Sequence, residues 1–197
     1  DATAARAAYR KALALTPTAA ARTAPAELAI AAGDLADADV QLRALISLDP
    51  SPARWLAHGD AMLRGDPAVA LASYREAEAR ARDPVTRIDA ITRQGTARGK
   101  RGDHAQAIAA LRRALALAPR GSGVELDLVT RIVDHARAGK RVAEERAVFE
   151  AAWPRRGMFE HLVLGELHEA LEAFDRAIVE YEAAIAAAPR EQRATRQ

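Results

Sequence analysis

Six of the nine prolines recur at an almost constant interval along the chain. The intervals are 33, 34, 35, 35 and 35 residues, between Pro17, Pro50, Pro84, Pro119, Pro154 and Pro189. A period of this length and regularity indicates a repeat array. Because proline has no N–H and biases the preceding residue away from the α region, each period ends a helix at a fixed place.

A trio of small and apolar residues precedes five of these prolines. Its members are spaced by four and three residues, so each trio lies on a single face of a helix. The trios are Ala5, Tyr9 and Ala12; Ala38, Leu42 and Leu45; Ala70, Tyr74 and Ala77; Ala107, Leu111 and Ala114; and Ala177, Tyr181 and Ala184. Each of these five periods therefore ends in an amphipathic helix.

The first half of each period is also predicted to be helical. Glycine–aspartate pairs at Gly33-Asp34, Gly65-Asp66 and Gly102-Asp103 precede the second helix. The glycine ends the first helix and the aspartate caps the second. The composition agrees, because 51 alanines and no asparagine among 197 residues favour helices and disfavour hairpin-rich sheets. An all-β or α/β fold is therefore disfavoured.

Three periods carry further residues at matching positions. The last contains His161, Leu164, Gly165 and His168, followed by Ala177, Tyr181 and Pro189. The middle one contains Ile91, Gly95 and Arg98, then Ala107, Leu111 and Pro119, with Gln94 in place of a leucine. A third contains Trp55, Gly59, Met62, Ala70, Tyr74 and Pro84 at slightly altered spacing. In these residues the chain resembles the tetratricopeptide repeat family. The resemblance implies an all-α, right-handed α-solenoid of antiparallel helix pairs.

The period divides the chain into one predicted array over residues 1–197. The predicted repeats are 1–17 (a second helix only), 18–50, 51–84, 85–119, 120–154, 155–189 and 190–197 (the start of a further helix). The repeat at 120–154 is degenerate, since it offers only Val148, Phe149 and Ala152 as a trio. Gly121-Ser122-Gly123 is expected to be the loosest stretch. Because both ends cut through a repeat, we expect a fragment of a longer array.

One proline interrupts the pattern. Pro25 falls inside the expected first helix of repeat 18–50. We therefore expect that helix to begin near Thr23 or Ala24, with Pro25 in its first turn.

Charge and composition exclude several classes of protein. The formal net charge is only +2, which disfavours a strong polyanion-binding field and hence nucleic acid as a partner. No apolar run is long enough to cross a membrane, and no signal peptide is recognisable. Without cysteine there is no disulfide or thiolate nucleophile, and the compartment, cytoplasm or periplasm, stays open.

No motif for catalysis is found. Phosphate-binding loops, dinucleotide fingerprints and nucleophile elbows are absent from the sequence. His161 and His168, with Glu172 nearby, are interpreted as packing residues in preference to metal ligands. Arg112-Arg113 and Arg155-Arg156 are interpreted as surface charge. We therefore predict no enzymatic activity, no cofactor and no metal.

The resemblance implies a concave groove lined by the first helices, which binds a peptide or protein partner. The groove positions carried over by the resemblance are Arg54, Leu56, Asp60, Arg64, Asp89, Thr92, Thr96, Phe159, Leu162, Glu166 and Glu169. Phe159 and Leu162 are equally compatible with burial against a neighbouring helix. The carboxylate clamp of the chaperone-binding members is absent, because the chain has no asparagine and its three lysines lie elsewhere.

The function predicted from these features is a non-catalytic protein–protein interaction module. By analogy with Ala/Arg-rich bacterial members of the family, it is expected to be a scaffold or adaptor in a larger assembly. The alternative is a structural array that self-associates through its repeat ends or spaces domains. RNA binding by a 35-residue helical repeat is a third and weaker interpretation, since such arrays read bases with polar residues that commonly include asparagine.

Overall fold

The structure is a computed structural model that describes Ala8, Lys11 and residues 19–188. Within residues 19–188 every regular element is an α-helix. The helices are α1 (Ala19–Ala31), α2 (Leu35–Leu48), α3 (Pro52–Met62), α4 (Pro67–Arg80), α5 (Pro84–Lys100), α6 (His104–Leu115), α7 (Gly123–Ala138), α8 (Val142–Ala152), α9 (Met158–Ala170) and α10 (Phe174–Ala187). The trio at Ala5, Tyr9 and Ala12 and the segment 190–197 lie outside the described residues.

The helices form two compact units. Unit 1 extends to Ala118 and contains α1 to α6, and unit 2 starts at Pro119 and contains α7 to α10. Consecutive helices pair as α1–α2, α3–α4 and α5–α6 in unit 1 and as α7–α8 and α9–α10 in unit 2. The predicted all-α solenoid of helix pairs is confirmed. The extent of a single array and the repeat boundaries stay predictions.

Short turns join the two helices of a pair. Gly33 and Gly102 take left-handed φ values of 72° and 78°, and Lys140 and Glu172 take 55° and 57° at the same place in their turns. In each turn the amide three residues past the helix end donates a hydrogen bond to a carbonyl of the last turn, as in Asp34 N to Ala29 O at 2.9 Å. These bonds satisfy carbonyls that would otherwise be left unpaired.

The aspartate caps follow the sequence prediction in two of three places. Asp34 accepts a hydrogen bond from the Asp37 amide, and Asp66 accepts from the Ala68 and Val69 amides. The cap predicted for Asp103 is wrong, because its side chain makes no such bond and instead faces Arg101, 3.5 Å from its Nε.

The trios form the core between paired helices. Those at Ala38, Ala70 and Ala107 are buried throughout, and in the last trio both alanines are buried. Two glycines of the first helices lie beneath tyrosine rings of the second. A methyl group at Gly59 would lie 2.3 Å from Tyr74 Cε1, and one at Gly165 would lie 2.4 Å from Tyr181 Cε1. Only glycine permits this approach.

The expectation for Pro25 is wrong. Helix α1 begins at Ala19, so Pro25 lies inside it and not in its first turn. Alanines before Pro25 extend the helix towards its N-terminus because alanine favours helix. The helix tolerates the loss of the one backbone hydrogen bond that proline cannot donate.

The degenerate repeat departs from the others. In α8 only Phe149 of its expected trio is buried, while Val148 is 40% exposed. The Phe149 ring stacks on Trp153, with centroids 4.6 Å apart. An aromatic pair therefore replaces the alanine-based contact here.

None of the described helices is long and apolar enough to cross a membrane.

Candidate partner-binding surface

A polar network joins the first helices of two successive pairs in unit 1. Arg93 of α5 forms ion pairs with Asp60 of α3 and with Asp89, whose Oδ1 lies 2.8 Å from its Nε. Asp60 Oδ1 also accepts a hydrogen bond from the Tyr74 hydroxyl at 2.8 Å. Two predicted groove residues, Asp60 and Asp89, thus both contact Arg93. We call the surface that carries these three residues the α3–α5 face.

The electrostatics of this network favour fixed protonation states. Burial disfavours charge on Arg93, but its hydrogen bonds to Asp89 and Asp60 outweigh it and raise the arginine pKa further. Burial and the hydrogen bond to Asp60 raise the pKa of Tyr74 above its usual value. The phenol therefore stays protonated and donates its hydrogen bond to Asp60.

Thr92 and Thr96 line the same helix, and their hydroxyls bond within it. Thr92 Oγ1 donates to the Ile88 carbonyl at 2.8 Å, and Thr96 Oγ1 donates to the Thr92 carbonyl at 3.4 Å. Both side chains are half-buried. Each threonine hydroxyl thus donates its hydrogen bond within the helix. The methyl group is the part of the side chain that each threonine can offer to a partner.

The remaining unit 1 candidates lie on α3 and at its end. Leu56 is partly buried against the hydrophobic core. Arg54 is held by Asp49, with Nε 3.3 Å from Oδ2. Arg64 is exposed. A cleft of about 900 Å³ opens between the loops at 49–52 and 81–83, and Leu56 contributes to its lining.

Unit 2 places its candidates on α9. Glu166 lies opposite Arg137 of α7, whose Nη2 is 3.4 Å from the Glu166 carbonyl oxygen. Glu169 accepts a hydrogen bond from the Tyr181 hydroxyl at 2.8 Å. Burial and this bond raise the pKa of Tyr181 to about 12. A tyrosine hydroxyl bonded to a first-helix carboxylate thus occurs in both units.

The two apolar candidates of unit 2 differ in their surroundings. Phe159 is half-buried and meets Trp153 edge to face, with centroids 6.1 Å apart. Leu162 is 40% exposed. Phe159 is therefore engaged in packing within its unit, whereas Leu162 faces solvent.

Sequence reasoning missed Arg93 and Arg137, the cations that link neighbouring first helices. Arg93 follows Asp89 by four residues, and this spacing was a readable signal for a pair on one helix face. The links from Arg93 to Asp60 and from Arg137 to Glu166 had no local signal, since they depend on how successive helices pack.

His58 forms a buried arrangement that resembles a catalytic triad. Its Nδ1 lies 2.7 Å from Ser73 Oγ and its Nε2 lies 2.6 Å from Asp39 Oδ1. Ser73 is 2% exposed, so its hydroxyl cannot reach a substrate. Burial opposes ionisation of Asp39, but hydrogen bonds from Arg43 and His58 prevail and lower its pKa. The arrangement connects α2, α3 and α4.

His161 and His168, the two histidines that the sequence analysis interprets as packing residues, each lie near a different carboxylate. His161 Nδ1 lies 2.7 Å from Glu180, and His168 Nε2 lies 3.6 Å from Glu150. His168 is buried, as expected for a packing residue. In the part of the chain that the structure describes, no three acidic, histidine or cysteine side chains are grouped to hold a metal ion.

A family model identifies the repeat directly. The model, described as tetratricopeptide repeat, matches residues 88–120, which span most of α5 and all of α6. No curated protein matches the sequence.

The fold of the chain is similar to the folds of several solved protein structures. MamA protein is 18% identical with a TM-score of 0.57, and the match covers 91% of this chain and 95% of that one. PilF of Pseudomonas aeruginosa is 19% identical with a TM-score of 0.57, covering 91% and 81%. YrrB, described as a TPR protein with an unusual peptide-binding site, is 16% identical with a TM-score of 0.54, covering 95% and 96%. Residues 88–120 therefore match a tetratricopeptide repeat, and the fold of the described residues is similar to that of MamA, PilF and YrrB.

Proposed function

We propose that this chain is a protein–protein interaction module that binds a peptide segment of its partner on the α3–α5 face of unit 1. The observation that carries the proposal is the link from Arg93 to both Asp60 and Asp89. It sets the predicted groove residues of two successive first helices side by side, as a surface that reads an extended peptide requires. YrrB, with its described peptide-binding site, is a similar structure.

The chemistry of the face suggests a mixed peptide. The hydrogen-bonded network at Arg93 supplies acceptor oxygens and guanidinium donors, and Thr92 and Thr96 supply methyl groups. The cleft beside Leu56 has space for an apolar side chain. A partner segment with one apolar anchor and polar flanks fits this surface best.

The wider role proposed for the chain is that of a scaffold or adaptor in a bacterial assembly. One of the similar structures, PilW, is described as a type IV pilus biogenesis factor; it is 22% identical with a TM-score of 0.54. The match covers 100% of this chain and 91% of that one. This likeness is the support for an assembly role.

Self-association is the second candidate function, and α10 favours it. Four large apolar side chains of this helix are more than half exposed: Phe174, Ile178, Val179 and Ile185. Exposed apolar surface of this kind is typical of interaction sites. Light scattering over a concentration range tests it, because an Ile178→Glu variant would abolish any mass increase seen for the unmodified chain.

Affinity capture with matched variants tests the main proposal. Thr92→Arg/Thr96→Glu alters the α3–α5 face, whereas Val40→Arg alters α2 at a residue that is 60% exposed. After circular dichroism confirms that both variants fold, each is used to capture proteins from the native host's lysate. A partner retained by the unmodified chain and Val40→Arg but lost with Thr92→Arg/Thr96→Glu supports the proposal. Equal retention by all three contradicts it.

A further inference from the structure

Unit 1 has a second polar surface, on the other side of α5. Arg98 follows Thr96 by two residues, so the two side chains point about 160° apart around the helix. Arg113 of α6 lies on this side, since it pairs with Glu78, whose carboxylate also accepts a hydrogen bond from Gln94 beside Arg98. The positive charges of Arg75 of α4 and of Arg113 both act on Arg98. We call Arg75, Arg98 and Arg113 the arginine patch.

Arg98 is partly buried, and its guanidinium is incompletely hydrogen-bonded. Its Nε is buried without a hydrogen-bond partner, and its Nη1 reaches only the neutral Gln94 Oε1, at 3.4 Å. The side chain forms no ion pair among the described residues. Burial and the charges of Arg75 and Arg113 lower its pKa, against weaker opposing effects of Glu78 and Asp103.

The acidic groups near the patch are already engaged. Glu78 accepts a hydrogen bond from Gln94 Nε2 at 2.7 Å and is paired with Arg113, and Arg87 Nε lies 4.0 Å from it. Asp103 faces Arg101. Arg75 is exposed and forms no ion pair in the described part of the chain. The patch therefore has an excess of positive charge, and the exposed Arg75 guanidinium has no carboxylate partner among the described residues.

We propose that the arginine patch is a second binding surface, which takes a carboxylate-rich segment of a protein partner. Guanidinium groups match carboxylates with two parallel hydrogen bonds, and a carboxylate placed here would relieve the repulsion among the three cations. A nucleic acid is disfavoured because it needs an extended basic track, while the whole chain carries a net charge of only +2. The surface is separate from the α3–α5 face and does not depend on it.

Fluorescence anisotropy with a labelled hexaglutamate peptide tests the proposal, with hexaglutamine and inorganic phosphate as the other probes. The unmodified chain should bind hexaglutamate, more weakly as salt is raised, and should not bind hexaglutamine. Arg75→Gln/Arg98→Gln should weaken binding at least about tenfold, since two charge-assisted hydrogen-bonding groups are lost. Glu78→Gln should strengthen it, because the competing carboxylate is removed.

Two controls separate this surface from the rest of the molecule. Arg131→Gln removes an exposed arginine of unit 2 that is paired with Asp127, and it should leave binding unchanged. Thr96→Glu alters the α3–α5 face and should also leave hexaglutamate binding unchanged. The test of the arginine patch is therefore independent of whether a peptide binds the α3–α5 face. The proposal is overturned if hexaglutamate does not bind, if Arg131→Gln weakens binding as much as the double variant, or if only phosphate binds.

Discussion

At the scale of single residues, the close approach of Gly59 to Tyr74 is a steric constraint on unit 1. Tyr74 is completely buried, so its ring cannot move away from an added methyl group. The same arrangement recurs at Gly165 and Tyr181. The recurrence of glycine in the first helix opposite tyrosine in the second thus has a steric cause in these two helix pairs.

Gly59→Ala should destabilise the protein by about 1–3 kcal/mol, the usual range for overpacking a core. This loss exceeds the gain of up to about 1 kcal/mol expected from placing alanine in a helix. Urea denaturation followed by circular dichroism measures it. The matched control is Gly123→Ala at the start of α7, where an added methyl group meets nothing within 4 Å. Equal stability of the two variants would contradict the account.

His168 makes stability depend on pH. Burial, followed by the charge of Arg146, lowers its pKa below the ordinary value of 6.5. The folded state therefore binds this proton less tightly than the unfolded state, and the stabilisation is present above about pH 6.5 and is lost as the pH falls through the folded value. Thermal denaturation at pH 7 and pH 5 should show a smaller drop in Tm for His168→Phe than for the unmodified chain. An identical drop would exclude His168 as the cause.

At the scale of elements, local signals predicted the helices well. Proline and glycine fix where a helix ends through their own backbone chemistry, so most helix ends followed from the sequence. Helix α1 was predicted less well, because the helix preference of its alanines overrides Pro25. The packing of α8 could not be predicted, because the stacking of Phe149 on Trp153 has no repeat-wide pattern to reveal it.

The turns between paired helices offer a stabilising substitution. Lys140 adopts a left-handed conformation with φ 55°, which costs a residue with a side chain roughly 1 kcal/mol. Lys140→Gly should therefore raise the free energy of unfolding by up to about 1 kcal/mol, offset in part by the extra freedom of glycine when unfolded. Chemical denaturation measures the change. A clear loss of stability would mean that the lysine side chain contributes more than its backbone strain.

The contact between α5 and α6 tests the register of the helix pairs. Ala107 is fully buried, so Ala107→Glu places an unpaired charge in the core and should cost roughly 3 kcal/mol or more. Ala109→Glu is the matched control, since Ala109 is exposed on the same helix and its change should stay within about 0.5 kcal/mol. Thermal denaturation compares the two, and similar Tm values would show that α6 packs through another face.

At the scale of the whole molecule, the positions of the candidate surface could be predicted but its interactions could not. The resemblance placed Asp60, Asp89 and Thr92 on first helices. It could not show that Arg93 holds Asp60 and Asp89 together, because that pairing depends on the distance between α3 and α5. The arginine patch also arises from packing, since Arg75, Arg98 and Arg113 come from three different helices.

The central claim is that partners bind the α3–α5 face. Because the chain has no cysteine, single cysteines can report on accessibility there. Thr92→Cys places a thiol on the face, and Ala72→Cys places one at an exposed residue of α4. The measurement is the alkylation rate of each thiol with and without a partner isolated by affinity capture. The account predicts that the partner slows alkylation at residue 92 at least tenfold and leaves residue 72 unchanged. Protection of residue 72 alone, or of neither, would contradict it.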